Sequence, residues 1–152
     1  MVRSLGDERL AAALVANLGE IVAGRGDLHR GAELMQEGVR ISHRLGETYN
    51  LSCAVLSFAD ILLRADQPRR AMRLLGAISA LREQTGLRHH DPTNTDQMER
   101  LRSAATAALG PTAAAAAWAE GLRLTTDSAV QEVVTTQSSV FDAQSTPAPW
   151  IA

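Results

Sequence analysis

Few side chains in this sequence have the types and spacing that chemistry requires. His89, His90 and Asp91 are adjacent and could together ligate a metal ion. Adjacent histidines rarely point at one ion, however, and zinc sites usually draw their ligands from spaced positions. The chain offers no matching ligand group at such a spacing. We therefore interpret these three residues as a solvated loop and expect neither a metal nor a cofactor.

The candidates for catalysis are equally sparse. Glu33 and Glu37 stand one helical turn apart, and paired carboxylates can act as acid and base. On an exposed helix face, however, such a pair usually serves only to keep that face solvated. Cys53 is the single cysteine and has no basic neighbour in the sequence that would activate it. Gly24-Arg25-Gly26 lacks the preceding strand and the third glycine of a nucleotide fingerprint. We predict that the chain is not an enzyme.

A local cluster of arginines, Arg64, Arg69, Arg70 and Arg73, could bind phosphate groups or an acidic partner. The formal net charge of the chain is −2, so no overall field attracts nucleic acid. We interpret the cluster as solvated surface and do not expect direct binding of nucleic acid. Nucleic-acid binding through Arg64–Arg73 remains the alternative function.

The composition indicates one helical domain. The 152 residues are 45% apolar but only 3% aromatic, so Ala, Leu, Val and Ile must build the core. All 15 basic residues are Arg, which excludes a phosphate-binding loop of the Walker type and a lysine Schiff base. With one cysteine, no signal peptide and no apolar run long enough to cross a membrane, we expect a cytoplasmic protein.

Apolar periodicity predicts about seven helices in an all-α domain over residues 7–134, followed by a flexible tail over 135–152. In the first helix, the residues predicted to face the core are Leu10, Leu14, Leu18, Ile21 and Val22. The predicted helices cover roughly residues 7–23, 28–45, 48–65, 68–85, 95–109, 111–122 and a last segment after 126. Glycine and proline separate most of them, as at Gly110-Pro111.

The first two helices can be laid over the next two with an offset of 40 residues. Leu18 then falls on Phe58, and the small residues Gly31 and Ala71 coincide where two helices of a hairpin would cross most closely. Such a period is typical of stacked helical hairpins of the tetratricopeptide (TPR-like) kind. Exposed apolar faces at the ends of so short an array also suggest self-association.

The repeat register predicts one binding groove. If the first helix of each hairpin lines a concave surface, Asn17 and Glu20 meet Ser57, Asp60 and Arg64 in a polar row. These five residues are our candidate site for a peptide backbone or a small ligand. The alternative is an ordinary hydrated surface.

Several motifs carry a family resemblance: R-L-L-G-A (73–77), A-A-L-G (107–110), A-A-W-A-E-G (116–121) and L-T-T-D-S-A-V (124–130). Together with residues 7–70, this region resembles the C-terminal helical repeats of LuxR-type and AAA-ATPase-containing transcriptional regulators, especially actinobacterial ones. The resemblance implies a TPR-like fold, a regulatory setting and a protein partner. It does not extend to ATP hydrolysis or DNA binding, because no phosphate loop is present and too few residues follow Thr125. Trp118 is predicted to cap the core.

Overall fold

The computed structural model describes residues 4–86 and 92–142, and this part of the chain contains eight helices and no strand. The helices are α1 (Leu5–Gly24), α2 (Leu28–Arg44), α3 (Thr48–Arg64), α4 (Pro68–Thr85), α5 (Pro92–Leu109), α6 (Pro111–Leu122), α7 (Thr126–Val134) and α8 (Ser139–Asp142). The predicted all-α class is confirmed. α5 begins three residues earlier than predicted, and α8 is additional. His89, His90 and Asp91 lie outside the described residues.

Three nearly identical turns set the spacing of the first four helices. Gly26, Gly46 and Asp66 adopt positive φ values of 102°, 67° and 58°. The backbone N–H that follows each of them donates to the carbonyl five residues back, at 3.3, 2.9 and 2.8 Å. This is the Schellman pattern, which satisfies the carbonyls at a helix end. As a result α2, α3 and α4 begin 20 residues apart, as the predicted hairpin repeat requires.

Local capping fixes several helix starts. The side-chain oxygens of Ser4, Asp27 and Thr125 accept the backbone N–H three residues on, at 3.2, 3.0 and 3.1 Å. Pro68 and Pro111 open α4 and α6, where a missing N–H leaves no helical bond unmade. Contacts within a few residues therefore set these helix starts, without any need for tertiary packing.

The core lies around α3, whose apolar residues are almost all buried, and it extends to α2, α4 and the C-terminal helices. Phe58 on α3 meets Phe141 on α8 edge to face, with ring centroids 6.0 Å apart. The same core contains further large, fully buried side chains, among them Met35, Leu56, Ile61, Leu62, Met72, Leu74 and Leu75. Apolar periodicity predicts an inward stripe on α3, and its five members are buried: Leu51, Val55, Phe58, Ile61 and Leu62.

Glycines allow two helix pairs to approach closely. A Cβ on Gly31 would lie 2.7 Å from the Cβ of Ala23, so α1 and α2 cross there almost backbone to backbone. The position of Gly31 at a close crossing was predicted. In the second pair, α4 and α6, a Cβ on Gly121 would overlap the carbonyl oxygen of Arg73. Both crossings depend on the absence of a side chain.

The predicted inward face of α1 is wrong. Leu10, Leu14, Leu18 and Ile21 are among the most exposed large apolar side chains of the described residues. α1 instead packs on α2 through small residues of its opposite face: Ala12, Ala16, Gly19 and Ala23. Large side chains cannot enter so close a crossing, and they therefore lie on the outside.

Apolar periodicity predicts that Leu34, Ile41 and Leu45 form the inward stripe of α2, and this prediction is wrong in a similar way. Leu34, Ile41 and Leu45 are only partly buried, whereas Met35 and Val39 are completely enclosed. α2 packs against α1 on one side and α3 on the other, so its apolar surface is wider than a single stripe.

The folded part extends eight residues into the segment predicted as a tail. Gln36 of α2 is buried, and its side-chain amide donates to the carbonyls of Val133 and Thr136, both at 2.9 Å. Phe141 follows within α8 and is fully buried. The predicted domain boundary at residue 134 is therefore corrected to Asp142. Residues 143–152 of the predicted tail lie outside the described residues.

Candidate functional site

Four of the five residues predicted to form a binding groove line one cavity. Its volume is about 310 Å³, and it lies between α1, α3 and α5. Glu20 comes from α1, while Ser57, Asp60 and Arg64 come from successive turns of α3. The cavity is completed by Ala23, Ile61, Gln97 and Arg100. Asn17 is exposed on α1 and is not among the lining residues.

Hydrogen bonds hold the α1 and α3 side of this groove in place. The buried Ser57 hydroxyl donates to Oε1 of Glu20 and so ties the two helices together. Arg64 donates through Nη2 to Oδ2 of Asp60 at 3.0 Å and through Nη1 to the carbonyl oxygen of Ala23 at 3.4 Å. Because Ala23 lies in the last turn of α1, the guanidinium also faces the negative end of that helix.

Sequence reasoning missed the α5 side of the groove. Gln97 and Arg100 are three residues apart and therefore face the same way, as Ser57 and Asp60 do on α3. That spacing was a usable signal, but the repeat was traced through only two hairpins. Among the described residues, Arg100 forms no ion pair, so its charge is available at the rim.

The groove brings charged side chains of both signs together. It combines two carboxylates with two guanidinium groups, and so can accept and donate charged hydrogen bonds. The single hydroxyl among the lining residues, on Ser57, is buried and committed as a donor to Oε1 of Glu20. In the described part of the chain, no group of three or more potential metal ligands converges.

A second cavity, of about 560 Å³, is lined by α3, α4, α7 and α8, with Leu62, Leu74 and Val140 among its apolar walls. Arg73 and Glu132 at its edge bond to each other at 2.5 Å, which raises the pKa of the arginine. This cavity borders the C-terminal helices, and its charges are largely occupied by one another.

The predicted basic cluster is mostly neutralised by ion pairs. Arg69 and Arg73 both reach Glu120, at 2.9 and 2.5 Å, and the hydrogen bond from Arg73 holds the pKa of that carboxyl below its ordinary value. Arg64 is paired with Asp60. Within the described residues, only Arg70 of the cluster has no acidic partner.

The residues considered above for catalysis or nucleotide binding do not come together in one site. Glu33 contacts Arg30 and His29 on an exposed face, and Glu37 lies 3.9 Å from Arg40. Cys53 is half-buried. Gly24-Arg25-Gly26 forms the turn that ends α1.

Trp118 lies at the edge of the core rather than inside it. Its ring is partly buried between α5 and α6, with the guanidinium of Arg102 stacked 3.9 Å from the ring centre. Trp118 therefore lies at the edge of the core, where the predicted cap would be. One face of its ring contacts a cation instead of the core.

No family model, curated protein or solved structure matches this chain. None of the helices over the described residues has the length and apolarity that a membrane crossing requires. The resemblance to LuxR-type regulators therefore stays a prediction.

Proposed function

We propose that this chain is a non-enzymatic helical-repeat module that binds a peptide or small charged ligand in the groove between α1, α3 and α5. One observation carries the proposal: polar side chains from three separate helices converge on a single cavity of about 310 Å³. Ligand-binding cavities of proteins commonly begin at about this size. The first helices of successive hairpins supply these residues, as a concave repeat surface requires.

The charges of the groove indicate what kind of ligand fits. Arg100 at the rim has no acidic partner among the described residues, while Glu20 and Asp60 lie on the opposite wall. A ligand with an acidic group and a basic group, separated by the width of the groove, would satisfy both sides. A peptide segment carrying one residue of each sign has this chemistry, and its backbone can also bond to Gln97.

The regulatory setting of the proposal rests on the sequence resemblance alone. In that setting the module would sense a peptide or protein within a cytoplasmic transcriptional regulator and transmit binding to neighbouring domains. Arg64 suits such a role, because it joins Asp60 on α3 to the end of α1. A ligand that competes for Asp60 would release the guanidinium from this link.

Selection from a library of random heptapeptides tests the proposal. We expect the full chain to enrich peptides that carry both an acidic and a basic residue. Asp60→Asn combined with Arg100→Gln should abolish this enrichment while leaving the helical circular dichroism unchanged. In an isotope-labelled sample, an enriched peptide should shift backbone resonances of α1, α3 and α5.

A matched control is available on α2. Glu37 and Arg40 form an exposed pair of the same charges outside the groove. The Glu37→Gln, Arg40→Gln variant should therefore enrich the same peptides as the unaltered chain. Equal enrichment by the groove variant and the control variant would contradict the proposal, as would the absence of any enriched peptide.

No observation favours the alternative of nucleic-acid binding. Three of the four arginines in the predicted cluster are held by Asp60, Glu120 and Glu132. Retention of DNA in an electrophoretic assay at low salt, lost when Arg69 and Arg70 are changed to Glu, would support it nevertheless.

A further inference from the structure

α1 carries a second apolar face, opposite the small-residue face that packs on α2. Leu10, Leu14, Leu18 and Ile21 follow one another at helical spacing and are 59%, 58%, 48% and 55% exposed. Apolar side chains that line up on one exposed face mark interaction surfaces. Within the described residues, no other helix covers this face.

The charges at the two ends of this leucine face are opposite. At 100° per residue, Asp7 near the start of α1 and Arg25 at its C-cap project within about 20° of the direction of Leu14. Both side chains are exposed and, among the described residues, neither forms an ion pair. The other charged side chains of α1 are engaged in ion pairs or in the groove.

The face is complementary to itself when reversed. Asp7 and Arg25 lie at equal distances on either side of residue 16, as do Leu14 and Leu18. An antiparallel second copy of α1 would therefore place Leu14 on Leu18, Leu10 beside Ile21, and Asp7 against Arg25. A two-fold axis makes each of these contacts twice. A parallel copy would instead oppose Asp7 to Asp7 and Arg25 to Arg25.

We propose that the chain forms a homodimer through α1, with the two helices antiparallel and the leucine faces in contact. This proposal is independent of groove binding. The contact involves one helix from each copy, so its area falls at the low end of specific interfaces, below about 1,200 Å² in total. The expected dimer is accordingly reversible and of micromolar affinity.

Sedimentation equilibrium of the full chain over low to high micromolar concentration tests this. The mass should rise reversibly from one copy to two. Leu14→Gln combined with Leu18→Gln should keep the chain monomeric at every concentration, since both glutamines form helix well but remove the apolar contact. Tyr49→Gln serves as the control: Tyr49 lies on α3 outside the leucine face and is 45% exposed, so its replacement should leave the dimer intact.

Charge exchange tests the antiparallel register. Asp7→Arg and Arg25→Asp should each weaken the dimer about tenfold at low salt, because both attractive pairs become repulsive. Mixing the two variants should restore association as a heterodimer, in which every pair is again attractive. This rescue cannot arise from a variant that has merely lost its fold.

Three results would overturn the proposal. A chain that stays monomeric throughout the range would show that another partner, or another repeat, covers α1. A dimer unaffected by the two glutamines would place the interface elsewhere. A dimer that Asp7→Arg leaves unchanged would exclude the antiparallel register.

Discussion

α1 and α6 are built alike on the inside and differently on the outside. Each crosses its partner helix at a glycine, Gly31 on α2 and Gly121 within α6 itself, with the backbones in close approach. The outer face of α1 presents four large aliphatic side chains to solvent. The outer face of α6 presents mainly alanines, at positions 113, 115, 116 and 119, with one exposed leucine, Leu122, at its end.

This difference indicates that the inner and outer faces of a helix have separate roles. The inner glycine face determines how closely a helix docks, and the outer face determines whether anything can dock on it in turn. Alanine offers little apolar area to a further layer, so the outer face of α6 is a weaker docking surface than that of α1. α1 leaves a strongly apolar surface open.

The largest expected effect on stability comes from adding a methyl group at the α4–α6 crossing. Gly121→Ala should lower the free energy of unfolding by about 3 kcal/mol, because the new Cβ meets a backbone carbonyl that cannot turn away. Gly31→Ala should cost less, about 2 kcal/mol, since its nearest neighbour is the side chain of Ala23. Urea unfolding followed by circular dichroism measures both.

Gly24 supplies the matched control for these two variants. It ends α1 with no atom near enough to contact a new Cβ, so Gly24→Ala should be neutral or stabilise by up to about 1 kcal/mol. If Gly121→Ala unfolds at the same urea concentration as the unaltered chain, the backbones of α4 and α6 do not approach as closely at Gly121 as described.

The C-terminal closure also depends on Phe141. Phe141→Ala should cost about 2 kcal/mol, less than the 3–5 kcal/mol typical of a buried Phe, because the four-residue α8 can detach locally. Ser139→Ala in the same helix is exposed and should change stability by less than about 0.5 kcal/mol. Equal stability of the two variants would mean that α8 does not close the core.

The sequence predicted the helices well because their boundaries are local. Capping side chains and Schellman turns act within a few residues, and α3 is apolar enough that its buried side is unambiguous. α1 was misread because it is apolar on two faces, and periodicity weights leucine over glycine and alanine. Which face is inner depends on how close α2 comes, and this is a tertiary property.

The groove was predicted as far as the 20-residue spacing extends. Glu20, Ser57, Asp60 and Arg64 follow from that register, but α5 begins 24 residues after α4. Gln97 and Arg100 consequently fell outside the pattern. Asn17, three residues before Glu20, projects about 60° toward the leucine face and away from the cavity.

The two faces of α1 should differ in how well they tolerate a glutamine. Leu14→Gln on the outer face should change the stability of the monomer by less than about 0.5 kcal/mol, because the leucine is exposed. Ala12→Gln on the inner face should cost about 1–3 kcal/mol, since the longer side chain must enter a closed crossing. Thermal unfolding at low micromolar concentration separates the two. A larger loss for Leu14→Gln would mean that the leucine face is covered within the monomer.

The smallest effect concerns pH and the docking of α8 on α2. Nδ1 of His29 lies 2.5 Å from Oδ1 of Asp142, and this hydrogen bond raises the pKa of the imidazole, with a further contribution from Glu33. The contact therefore stabilises α8 fully below about pH 6.5 and is lost as the pH rises through the raised pKa of the folded state. Amide exchange at Phe141 should accelerate over that interval.

Asp142→Asn isolates the cause of this pH dependence. It removes the carboxylate that contributes most to the raised pKa of His29 but leaves Glu33 in place. The imidazole pKa measured by NMR should therefore fall toward its ordinary value without reaching it. Exchange at Phe141 should then lose most of its pH dependence. Both groups are largely solvated, so the change in overall stability should be small beside that of Phe141→Ala. An imidazole pKa at or below 6.5 in the unaltered chain would show that α8 is held by Phe141 and the Gln36 hydrogen bonds alone.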